Sequence, residues 1–127
     1  MSVLALEHVN IAGPAELIER VRDFYVNVVG LVEGFRPPFQ SRGFWLYAGD
    51  VAVIHLRVSD AEATSGAGAL DHFALNCDDL EPLLVRLRSA GIPWEQDSVP
   101  GAPVTQIFVR DPAGVGVELS FRTRSSG

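Results

Sequence analysis

The chain has 127 residues, 47% hydrophobic and 20% charged, a balance that suits one compact domain with a buried core and excludes a disordered tail. A formal net charge of −6 leaves no broad basic surface to displace counterions from phosphates, so no nucleic-acid partner is expected. The opening MSVLALEHVNI has no basic stretch leading into a long apolar run, and no window reaches the roughly 18 to 20 apolar residues of a membrane span, so we expect a cytoplasmic protein with no membrane partner.

In chain order, the first expected strand runs through Leu6, His8 and Asn10, and Gly13-Pro14 ends it. Pro14 suits a first helical turn. Leu17, Val21, Phe24 and Val28 then recur at helical spacing, and Gly30 supplies a left-handed C-terminal cap. Three strands follow, near residues 31–36, 43–48 and 51–57, the last two joined by a tight turn at Gly49-Asp50. The stretch 59–68, rich in Ala, Ser, Thr and Gly, has no periodicity and reads as a linker.

A second set of the same elements begins at Leu70. Asp78 and Glu81 have the spacing of a capping box, Leu80, Leu84 and Leu87 form a buried stripe, and Gly91 with Pro93 ends that helix. Strands are expected near 94–98, 104–110 and 115–121, with Asp111-Pro112-Ala113-Gly114 as the last turn. The single cysteine, Cys77, excludes an internal disulfide framework and a thiolate zinc cluster, and its alternation with Phe73 and Leu75 reads as a small hydrophobe on a buried strand.

The two sets are copies of one unit. At an offset of 64 residues, Leu6-Glu7-His8-Val9-Asn10-Ile11 falls on Leu70-Asp71-His72-Phe73-Ala74-Leu75. The architecture is α+β: two βαβββ modules forming a curved mixed sheet with helices on its convex side. One domain, 1–127, is divided into module one at 1–58, the linker at 59–68 and module two at 69–122.

Side chains alternate across a strand. His8 and His72 therefore lie on the faces opposite Val9 and Ile11, and opposite Phe73 and Leu75. In the last strand of each module Ile54 and Leu56, and Val115, Val117, Leu119 and Phe121, make the packed rows, which leaves His55 and Glu118 on the other side. His8 and His55 are 47 residues apart, His72 and Glu118 are 46 apart. A lone strand His is ordinarily a hydrogen-bonded structural residue, and a lone strand Glu a solvated one. Repetition at matched positions favours a set: imidazoles and a carboxylate able to hold Zn, Ni, Fe or Mn.

At this point the chain resembles the vicinal-oxygen-chelate superfamily, the group of glyoxalases, bleomycin-resistance proteins and extradiol dioxygenases. The likeness is carried by Leu6-Glu7-His8-Val9, Phe24-Tyr25-Val26-Asn27-Val28-Val29-Gly30-Leu31, Leu70-Asp71-His72-Phe73, and Phe108-Val109-Arg110-Asp111-Pro112-Ala113-Gly114 with Val117-Glu118-Leu119. It covers nearly the whole chain. The resemblance implies a divalent metal held by His8, His55, His72 and Glu118, and a homodimer in which each site is built within one chain or across two. His55 departs from the Glu of glyoxalase I and the Gln of methylmalonyl-CoA epimerase, and Val115 from the Asn common after the turn.

Three functional classes follow. The first is a metal-dependent lyase or isomerase acting beside a carbonyl of a small substrate chelated to the metal, with Glu118 as proton carrier and His55 as second candidate. The second is an extradiol dioxygenase, with His8, His72 and Glu118 on Fe(II) and His55 as acid or base. The third is a drug-binding protein without metal chemistry. Among the aromatic residues Phe35, Phe39, Phe44, Trp45, Tyr47, Trp94 and Phe108, core packing is the ordinary role. Arg36, Phe39, Trp45, Tyr47 and Gln106 are the candidate substrate contacts, Arg36 for an anionic group.

Overall fold

The computed structural model describes residues 1–60 and 68–122, so most of the expected linker and the tail from residue 123 lie outside the described residues. The chain divides into two compact units, Met1–Thr64 and Ser65–Gly127.

The first unit contains β1 (Val9–Gly13), α1 (Ala15–Asp23), a π-helical segment (Phe24–Val29), β2 (Val32–Gly34), β3 (Gly43–Ala48) and β4 (Val51–Val58). Its four-stranded sheet has the order β1-β4-β3-β2. β1 runs parallel to β4 and the other pairings are antiparallel. The two-residue turn expected at Gly49-Asp50 joins β3 to β4, with Gly49 at φ +60°, a conformation glycine adopts without penalty.

The helical stretch is more irregular than its periodicity implies. Ile18, rather than Leu17, is fully buried with Val21, and both Phe24 and Tyr25 are buried ahead of Val28. A π turn holds one residue more than an α turn, so two successive aromatic side chains face inward. The N–H of Gly30 donates to Tyr25 O at 2.9 Å, the i→i−5 bond of such a turn. Gly30, at φ 101°, then closes the segment as expected.

The second unit contains β5 (His72–Cys77), α2 (Leu80–Ala90), β6 (Glu95–Ser98), β7 (Val104–Arg110) and β8 (Gly116–Arg122). Its sheet repeats the first, in the order β5-β8-β7-β6, with β5 parallel to β8. The capping box does not form: Asp79 is the N-cap, in a left-handed conformation and without a side-chain cap bond. The buried face of α2 is Leu83, Leu84 and Leu87, and Leu80 is only half-buried at the first turn. The turn at Asp111 is held from inside. The buried Asp111 carboxylate accepts the N–H groups of Ala113 and Val115 at 2.8 and 3.0 Å.

Strand alternation places the core where the pattern requires. Ile54 and Leu56 are buried on β4, and Val117, Leu119 and Phe121 on β8, each contributing about 1.5–3 kcal/mol relative to exposure. Two strand starts differ from expectation. The ladder of β1 begins at Val9, opposite Ile54, and that of β5 at His72, opposite Gly116. Leu6 and Leu70 are exposed ahead of them. Cys77 is half-buried on β5, where burial, with Asp78 nearby, pushes its thiol pKa up.

Candidate functional site

His8 meets His55 in the first unit, and His72 meets Glu118 in the second. In the first, His8 stands just before β1 and its ring stacks on that of His55 of β4, centroids 3.7 Å apart. Trp45 of β3, cross-strand partner of His55, stacks on the other face at 3.9 Å. In the second unit, Nε2 of His72 lies 3.3 Å from Oε1 of Glu118. Phe108 of β7, cross-strand partner of Glu118, meets the His72 ring edge-on at 5.8 Å.

The register is the same in both. The Cα partner of His55 is Asn10, two residues after His8, and that of Glu118 is Ala74, two residues after His72. Each pair is thus one diagonal on one sheet face, and Trp45 and Phe108 are equivalent neighbours. Residues two apart on adjacent strands share a face and remain within reach of long side chains.

Both leading histidines are gripped by the acid that precedes them. His72 Nδ1 is 2.7 Å from Asp71 Oδ2, and His8 Nδ1 is 3.2 Å from Glu7 Oε1. The hydrogen bond to Asp71, reinforced by the charges of Asp71 and Glu118, raises the His72 pKa. The same bond lowers that of Asp71. His55 goes the other way: burial first, then the His8 imidazole, holds it below its ordinary value.

The donor types suit a divalent ion, and the second unit has suitable spacing. Two donors bound at about 2.1 Å to one tetrahedral ion are about 3.4 Å apart, close to the 3.3 Å between His72 and Glu118. The first pair is less ready. Two imidazoles on one ion keep their centroids about 5 Å apart with converging planes, whereas the rings of His8 and His55 are 11° from parallel at 3.7 Å. His8, ahead of the ladder and 36% exposed at its side chain, has the freedom to turn out of the stack. Among the described residues, no group of three His, Cys, Asp or Glu side chains that could hold a metal ion is found.

Each unit also has a hollow: the first is lined by both members of its pair, the second by His72 but not Glu118. One of about 210 Å³ is lined by His8, His55, Trp45, Phe39 and Arg57 among others. One of about 510 Å³ is lined by Asp71, His72, Trp94, Phe108 and Arg110 among others, a volume in the range of small-molecule pockets. Of the candidate substrate contacts, Phe39 and Trp45 share the first hollow, 6.1 Å apart. Arg36, Tyr47 and Gln106 line neither.

Those three have other surroundings. Arg36 donates from Nη1 to Ser41 O at 2.7 Å and from Nη2 to Ser41 Oγ at 3.2 Å, and covers the Phe39 ring at 5.0 Å. The hydroxyl of Tyr47 donates to Phe35 O at 2.6 Å. Gln106 sits mid-strand between Asp97 and Ser120. Arg110, absent from the sequence-based candidates, lines the larger hollow and donates to Gly114 O at 3.0 Å. Glu7 and Asp71 carried a signal, an acid before each repeated histidine.

A family model described as Glyoxalase/Bleomycin resistance protein/Dioxygenase superfamily matches residues 6–119. No curated protein sequence matches the chain. Among solved structures, a glyoxylase/bleomycin resistance protein/dioxygenase domain from Frankia sp. EAN1pec is 18% identical with a TM-score of 0.75, covering 96% of this chain and 100% of that one. The fosfomycin resistance protein FosX from Listeria monocytogenes, in a mutant form complexed with Mn(II) and 1S,2S-dihydroxypropylphosphonic acid, is 13% identical with a TM-score of 0.71, covering 96% and 95%. TnmS3, an antibiotic binding protein from a Streptomyces species, is 18% identical with a TM-score of 0.66, covering 97% and 99%. At these identities the likeness is one of fold.

Proposed function

Because the chain belongs to the Glyoxalase/Bleomycin resistance protein/Dioxygenase superfamily, we propose that it is a metal-dependent lyase or isomerase acting beside a carbonyl of a small substrate. His8, His55, His72 and Glu118 hold one divalent ion, Zn, Ni, Fe or Mn, with ligands drawn from both units of one chain or from two copies in a homodimer. The observation that carries this reading is the His72–Glu118 pair: its donors are 3.3 Å apart, with Asp71 on the far ring nitrogen. An ion bound there supplies Lewis acidity for negative charge developing on a substrate oxygen.

The chain's own residues provide the rest. Glu118 has 13% side-chain exposure, so its carboxylate is shielded yet reachable, and it takes the proton from the carbon next to the carbonyl. His55, kept below its ordinary pKa by burial and by His8, is the second proton carrier. Trp45 and Phe108 flank the two pairs.

Glu118→Gln keeps the shape of the side chain and removes the base. It should lower turnover about 10²- to 10⁴-fold while some metal is retained. The assay is solvent-deuterium exchange into small 2-oxo and 2-hydroxycarbonyl compounds, followed by NMR. Unchanged exchange rates would remove Glu118 from the role.

The stacked His55 favours one further reading. If His55 stays against Trp45 while His8 turns out of the stack, then His8, His72 and Glu118 would make a two-histidine, one-carboxylate set suited to Fe(II), with His55 as acid or base in extradiol ring cleavage. Iron content and oxygen uptake with catechols separate the two enzymes. A drug-binding role like the one named for TnmS3 instead requires full ligand affinity in metal-free protein.

A further inference from the structure

We propose that Asp71 and Glu7 are positioning residues that fix the donor nitrogen of the histidines they precede, an inference that rests on the metal-binding reading above. Asp71 Oδ2 lies 2.7 Å from Nδ1 of His72, and Glu7 Oε1 lies 3.2 Å from Nδ1 of His8. A carboxylate accepting the Nδ1 proton leaves the lone pair on Nε2 and raises the basicity of the ring as a ligand.

Adjacent residues in a regular strand point to opposite faces and do not meet. These two pairs exist because the ladders start late: His72 is the first residue of β5, and His8 precedes β1 altogether. The acids therefore sit in chain that is not yet pleated. Gly116 contributes to the close approach in the second unit. A Cβ there would lie 2.4 Å from the Asp71 carbonyl oxygen and 3.0 Å from His72 Cβ, so the missing side chain lets the Asp71–His72 peptide lie directly on β8.

Magnitude separates this role from a structural one. The two acids are 81% and 87% exposed at their side chains, and exposed ion pairs contribute little to stability. An orienting carboxylate, by contrast, typically changes metal affinity about 10- to 100-fold. Both units carry the arrangement at the same repeat position. Asp71, with the shorter side chain and the shorter contact, is the stronger of the two.

The test uses the full chain, stripped of metal and titrated with Zn(II) by competition calorimetry, alongside ¹⁵N NMR of the imidazoles in the metal-free state. Asp71→Ala should weaken Zn(II) binding about 10- to 100-fold and shift neutral His72 towards the form protonated on Nε2. Asp71→Asn, whose side-chain oxygen still accepts, should recover most of the affinity, and the urea midpoint should move little in either variant. Glu7→Ala should weaken binding by less than Asp71→Ala. An Asp71→Ala protein with Zn(II) affinity within about twofold of the parent and an unchanged tautomer would overturn the proposal. If the parent protein binds none of Zn(II), Ni(II), Fe(II) and Mn(II), the metal reading fails by itself. The His72 tautomer then decides the role of Asp71, a shift supporting it and no shift overturning it.

Discussion

His55 lies in the middle of three flat rings, with His8 at 3.7 Å on one face and Trp45 at 3.9 Å on the other. Ring contacts of this kind are worth about 0.5–1.5 kcal/mol each beyond the area they bury. Removing the central ring breaks two contacts, and removing the outer, partly exposed His8 breaks one. His55→Ala should therefore lower stability by about 1–3 kcal/mol and His8→Ala by no more than about 1.5 kcal/mol, read from urea unfolding. Equal losses would show that the stack does not hold His55. The positions of these histidines are legible in the sequence because alternation and repetition both point to them. The acid–histidine contacts are not, because strand alternation argues against neighbours meeting. The contacts of Arg36 and Tyr47 are hidden for a related reason: a side chain that donates to a backbone oxygen, as these do at Ser41 and Phe35, leaves no partner residue type in the sequence to find.

Each unit turns one strand pair into a site by the same register, with the ligand-type residue of the first strand two positions ahead of the Cα partner of the second. The close approach at the start of β5 depends on Gly116, where an added Cβ would meet the Asp71 carbonyl oxygen at 2.4 Å. Gly116→Ala must push β5 from β8. It should cost about 1–3 kcal/mol, the usual penalty for overpacking, and weaken metal binding as His72 leaves Glu118. Thermal unfolding with and without Zn(II) checks both, and an unshifted midpoint would contradict the close-packed start of β5. Strand extents were largely legible because β3 and β7 are runs rich in aromatic and β-branched residues bounded by turns. The helix ends were less so. The π-helical segment arises from packing Phe24 and Tyr25 together in the core, a tertiary demand that helical spacing does not encode, and the Asp78/Glu81 spacing was overridden by the left-handed Asp79.

The whole chain reads as a duplication in which each half supplies two ligand-type side chains, one from its first strand region and one from its last. Duplication explains why the fold is legible from a single sequence: two independent copies of the pattern agree, and the family model spans residues 6–119. The chemistry is less legible, because the same scaffold carries a metal-bound fosfomycin resistance protein and an antibiotic binding protein. Substitutions at a few inward positions decide between such roles. The central claim is that one ion takes ligands from both halves. Elemental analysis of protein purified without chelator tests it most directly. About one divalent ion per chain should accompany the parent protein and fall to a small fraction in His8→Ala and in His72→Ala alike. A metal-free parent protein, or either variant keeping its full complement of metal, would contradict the account.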